Sequence, residues 1–122
     1  MPLSEQEAKA ICQKLLSYSK AGDASVSLES NAYSHLRFAA NTFTTSGRRD
    51  DINVSMTSWI EGRKGSASTN EIDDAALEAV VRQSDQLARL SPVDREYLPT
   101  LGPQQYHPTQ GYVEATANIS LR

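Results

Sequence analysis

One cysteine, Cys12, stands in 122 residues, which excludes an intramolecular disulfide framework and fits a reducing cytoplasm. Histidine is nearly as scarce. His35 and His107 are the only two, and no His-Glu-x-x-His or comparable ligand pair occurs. Zinc needs three or four ligands in register, so no metal site is expected in this chain. Basic charge is short as well. Twelve Lys and Arg against fifteen Asp and Glu leave a net charge of −3. An acidic chain without a basic stripe argues against a nucleic-acid partner. No apolar run approaches the ~20 residues that span a bilayer, so no membrane partner is expected. The opening Met1-Pro2-Leu3-Ser4-Glu5-Gln6-Glu7 is polar and acidic, unlike a secretory leader.

What the chain does contain is enough for one small core. Its hydrophobic content is 39%, above the disordered range. Ser4 followed by Glu7 forms a capping-box signature, and Ala8, Ile11, Cys12, Leu15 and Leu16 recur behind it at helical spacing. A helix is predicted over 5–20, with Gly22 as a left-handed stop. At Ala24 the period changes to two. Ala24, Val26 and Leu28 alternate with Ser25, Ser27 and Glu29, which predicts a half-buried strand. Two short strands are predicted at His35–Ala39 and Thr42–Ser46, and a polar turn at Gly47-Arg48-Arg49-Asp50-Asp51. The longest strand signal runs from Ile52 to Ile60. Glu61-Gly62-Arg63 forms a tight connection to an edge-like strand over Lys64–Thr69.

Asp73 is a plausible N-cap for a second helix, with Asp74 favourably placed against the helix dipole. Leu77, Val80, Val81, Ser84, Leu87 and Ala88 mark its buried stripe, and Pro92 ends it. Four prolines between Pro92 and Pro108 then predict an extended arm over 92–122 behind a core over 1–91. The fold class expected is α+β, a mainly antiparallel sheet with two helices packed on one face. Ile11, Leu15, Leu28, Val54, Met56, Val80, Val81 and Leu87 are the expected core.

Few residues offer chemistry. Cys12 lies on the apolar stripe of the first helix, where burial raises a thiol pKa and dulls its reactivity. The neighbouring acids Asp50 and Asp51, and Asp73 and Asp74, point apart on strand or helix and cannot converge on one substrate atom. No catalytic residue is assigned, and a small hydrolase built on Cys12 or His35 is the least favoured reading. The run Gly65-Ser66-Ala67-Ser68-Thr69-Asn70 is different. Small side chains allow another backbone to approach, so these six residues are the candidate contact for a peptide or a subunit.

Several segments stand in a distinctive order: His35-Leu36-Arg37-Phe38-Ala39-Ala40-Asn41, Thr44-Thr45-Ser46-Gly47 and Gly62-Arg63-Lys64 with the small-residue run behind it. The helix Asp74–Val81 with Leu87-Ala88-Arg89-Leu90, and the later Gly111–Ala117, follow them. Together and in this order they resemble the amino-terminal domain of TldD/PmbA-type metallopeptidases. The resemblance implies a cytoplasmic protein acting in proteolysis: peptide-antibiotic maturation, toxin–antitoxin turnover or modulation of DNA gyrase. It implies a homologous partner subunit, in a homo- or heterodimer, and an extended peptide substrate. It also implies zinc, held by a His-Glu-x-x-x-His motif and a further Cys in a larger region after this domain. No residue here matches those ligands, so no cofactor is expected in this chain and the chain alone is expected to be inactive. The family continues where this sequence stops, which predicts an excised domain or truncated product with a native start. The alternative is a stand-alone module that regulates a partner by edge-strand pairing.

Overall fold

The structure is a computed structural model that describes residues 2–120. Helix α1 (Glu5–Tyr18) is followed by strands β1 (Asp23–Ala39), β2 (Thr42–Ile60) and β3 (Arg63–Thr69), then helices α2 (Asp74–Leu90) and α3 (Glu114–Ala117). The strands form one antiparallel sheet in the order β1-β2-β3, so the α+β class expected from the sequence is the class observed.

Both long helices begin where the capping chemistry predicts. Ser4 Oγ accepts from Glu7 N at 3.3 Å, and Glu7 Oε2 accepts from Ser4 N at 2.8 Å. Asp73 Oδ1 accepts from Ala76 N at 3.1 Å. Each cap satisfies backbone donors that the first helical turn leaves without partners. At its other end α1 stops earlier than expected. Its C-cap is Ser19 in extended backbone, and Gly62 is the only described glycine with positive φ, so Gly22 is no left-handed stop.

The strands are longer than their patterns. Gly47–Asp51, expected as a turn, lies inside β2, and the separate short strands merge into β1 and β2. The reversal sits at Ala40-Asn41, with φ of 50° and 59°. Two-residue hairpin turns favour such left-handed pairs because their twist matches that of the strands. Glu61-Gly62 repeats the device at φ 52° and 72°, where a tight connection was expected. Charged residues do not prevent pairing in a strand whose side chains stand in solvent.

The chain divides into two compact units. The first comprises Met1–Ala32 and Asp50–Thr100. Its core is Leu15, Val54, Met56, Leu77, Val80 and Val81, flanked by Ile11, Tyr18, Ala24, Val26, Leu28, Ile52 and Ala67. Leu87 is the exception. It is 40% exposed, because the stripe of α2 runs through Leu77, Val80, Val81, Ser84 and Ala88 and leaves Leu87 at its margin.

β3 and α2 lie close together at Gly65. A Cβ added at Gly65 would overlap Ala88 N and Ser84 O and lie 2.8 Å from the Leu87 carbonyl carbon. Across the sheet Gly65 pairs with Ser58, whose hydroxyl meets that of Ser84 at 2.9 Å.

The second unit comprises Tyr33–Arg49 and Leu101–Arg122. In its hairpin, Thr44 Oγ1 donates to Arg37 O at 3.2 Å, and the rings of Tyr33 and His35 stack with centroids 5.8 Å apart. Gly47 makes room for His35, since a Cβ there would lie 2.6 Å from its Cε1. Phe38 and Phe43 are exposed. Residues 101–113 form no helix or strand, and α3 is a single turn.

The two leucines of α2 should separate in urea unfolding. Leu77→Ala should cost about 2–5 kcal/mol, the range for emptying a buried leucine site, and Leu87→Ala distinctly less. Equal costs would contradict the observed stripe.

Candidate functional site

The small-residue run is split by the pleat of β3, because successive side chains point to opposite faces. Gly65, Ala67 and Thr69 lie opposite Ser58, Met56 and Val54, on the face that α2 covers. Gly65 is buried against the helix backbone, and Ala67 packs on the core. Thr69 Oγ1 accepts from Glu71 N at 3.1 Å in the approach to α2. Three of the six candidate residues therefore serve the domain's own packing.

Ser66 and Ser68 point the other way, and Asn70 is exposed beyond the strand. Opposite them on β2 stand Thr57 and Ser55, and Trp59 pairs with Lys64. Thr57 Oγ1 and Ser66 Oγ are 2.9 Å apart, and Asn53 Nδ2 donates to Ser55 Oγ at 3.3 Å. The face opposite the helices is thus a ladder of hydroxyls that ends on an indole and an ammonium. Such a surface can donate and accept hydrogen bonds. It presents no activated nucleophile.

Behind the sheet lies a second polar group. Ser58 Oγ donates to Asp85 Oδ1 at 2.6 Å, Ser84 Oγ donates to Val81 O at 2.9 Å, and both hydroxyls are fully buried. Asp85 lines a groove of about 550 Å³ with Tyr18, Lys20, Glu78 and Arg82. A serine beside a carboxylate resembles part of a catalytic triad, but a base must sit between them to take the proton. The hydrogen-bond partners of Ser58 are Ser84 and Asp85, and neither is such a base. The group satisfies polar atoms in the core.

The other singled-out residues are dispersed. Cys12 is half-buried in α1, where burial pushes its thiol pKa up. His35 lies against Gly47 in the hairpin, and His107 is exposed. Asp73 caps α2, and Asp74 pairs with Lys14 of α1. Asp50 and Asp51 both lie in β2. Among the described residues no group of three or more His, Cys, Asp or Glu could hold a metal ion. No described helix is long and apolar enough to cross a membrane.

Sequence reasoning passed over Asp23. Its carboxylate accepts from Thr100 Oγ1 at 2.6 Å, Thr100 N at 2.9 Å and Tyr97 Oη at 3.3 Å. The partners are 74 and 77 residues away, and no local signal links them.

Sheet, helices and polar groups define a class: a small α+β domain with one covered sheet face and no assembled catalytic group among its described residues. The profile of the PmbA/TldA metallopeptidase family, domain 1, matches residues 24–88, just over half of the chain. The chain belongs to that family. It shares its fold with TldE from Thermococcus kodakarensis, at 12% identity and a TM-score of 0.70 over 93% of this chain. It shares it equally with a candidate modulator of DNA gyrase from Bacteroides thetaiotaomicron VPI-5482, at 16% identity and 0.69 over 96%. The chain spans 25% and 28% of the length of those two proteins. No curated protein matches it significantly.

The bonds to Asp23 predict its titration. The Thr100 hydroxyl and then the Thr100 N–H hold its carboxyl below the usual carboxylate range. With the folded pKa depressed, the stabilisation is present above the unfolded value of about 3.9 and is lost as pH falls through the folded one. An NMR titration should place the Asp23 midpoint below that of a free aspartate. A midpoint at or above the free value would contradict these bonds.

Proposed function

We propose that this chain is the non-catalytic amino-terminal domain of a TldD/PmbA-like zinc-dependent peptidase or of its inactive partner subunit. The observation that carries the reading is the match to the first domain of that metallopeptidase family over residues 24–88. The domain's part is placement: it shapes the enclosure around an active site that lies elsewhere and contacts the homologous subunit. A cytoplasmic setting accords with the single cysteine.

Zinc does not fit the residues present. Cys12 lies in α1, His35 in the hairpin and His107 in an irregular segment, and no three described ligand types form a group. No step of the chemistry is therefore assigned to this chain. Its contribution to peptide or subunit binding falls to the outward residues Ser66, Ser68 and Asn70. Gly65, Ala67 and Thr69 support that strand from beneath.

A second reading, a stand-alone module that pairs its edge strand with a partner, is favoured by one observation. β3 is an edge of the sheet, and among the described residues its outer side carries one bridge, Arg63 to Val93; an added strand would use the backbone groups of such an edge.

Peptide cleavage separates the two. The 122-residue chain alone should not cleave unstructured peptides, whereas a longer polypeptide with the family's large domain and partner subunit should do so with zinc. In that complex Ser68→Arg should weaken assembly or peptide binding several-fold without changing zinc content. Cleavage by the isolated chain would overturn the peptidase-domain reading, and an inert longer complex would favour the stand-alone module.

A further inference from the structure

The residues after α2 cross one end of the sheet. Arg63 Nη1 donates to Ser91 O at 2.7 Å, and Val93 makes its antiparallel bridge to Arg63 at the start of β3. Asp94 N then donates to Gly62 O at 2.8 Å. Asp94 also turns the chain, since its Oδ1 accepts from Glu96 N at 2.9 Å and its carbonyl from Tyr97 N at 3.4 Å. The segment ends on Asp23, the first residue of β1. Because β3 and β1 are the two edges of the sheet, these eight residues reach from one edge to the other.

Little apolar burial holds them there. Tyr97 is half-buried, and every other residue from Val93 to Thr100 is exposed. The far end is fixed by three hydrogen bonds on one carboxylate, and bonds to an ionised acceptor are about twice as strong as neutral ones. No residue of the core cluster belongs to the segment.

We propose that Val93–Thr100 is a detachable strap, that Asp23 is its clasp, and that the closed clasp makes Thr100 the point from which the following chain departs. Release would free the stretch from Arg95 to Thr100, six residues with a fully extended reach of roughly 20 Å. The position of Thr100 against the start of β1 is then set by a single carboxylate. The proposal does not depend on the peptidase reading.

Amide hydrogen exchange on the 122-residue chain tests it. In Asp23→Ala the Thr100 amide should exchange about tenfold faster or more, while the Asp94 amide and the amides of residues 54–58 keep their protection. Thr100→Val, which keeps the N–H bond and loses the hydroxyl, should give an intermediate rate at the same amide. An unchanged Thr100 rate in Asp23→Ala would show that no clasp exists. Acceleration through residues 54–58, or failure of Asp23→Ala to fold, would show that the strap is not separable. Either result overturns the proposal.

Discussion

The domain is organised by how closely α2 lies on β3. Gly65 has no Cβ to hold the helix away, and Ser84 O and Ala88 N occupy the space that a Cβ would fill. Ser58, its partner across the sheet, is small enough for its hydroxyl to reach Ser84 and Asp85 beneath the helix. One turn of α2 is thereby fixed over one strand pair, with buried polar atoms bonded to one another. Farther along the helix Leu77, Val80 and Val81 meet Val54 and Met56, and Leu15 of α1 completes the cluster. Dense packing of this kind tolerates little change in volume.

That contact decides what the strand can offer a partner. A run of small residues suits close approach, but in this chain much of that capacity is used by the domain's own helix. What remains outward is the hydroxyl ladder of Ser66 and Ser68 with Thr57 and Ser55, a surface suited to hydrogen bonding and lacking a reactive group. The role proposed for this domain, placing other parts of a peptidase, asks no more of that surface than hydrogen bonding.

Much of this was legible in the sequence where a local rule acts alone. Ser4 with Glu7, Asp73 and Pro92 bound the helices because capping and proline act within a few residues. The even positions from Val54 to Ser58 mark the covered face because strand period is local too. The break between Ala39 and Thr42 is legible although Ala40-Asn41 lacks glycine, while Gly47–Asp51 has the composition of a turn and lies inside a strand. Leu87 was misplaced because one residue of helical phase separates stripe from margin. The packing of Gly65 against α2 gives no sequence signal, since a strand pattern does not say which element covers its face. Asp23 gave no signal because its partners lie more than 70 residues away. The family, in contrast, was legible as an ordered set of weak segments.

The measurement that bears most directly on this account is the equilibrium unfolding of Gly65→Ala in the isolated chain. One methyl group at that position must push α2 off the sheet or distort its backbone near Ser84 and Ala88. Overpacking of this kind costs about 1–3 kcal/mol, and the urea midpoint should fall accordingly with no partner present. A midpoint equal to that of the parent chain would contradict the account, because Gly65 would then not be needed for the domain's own packing.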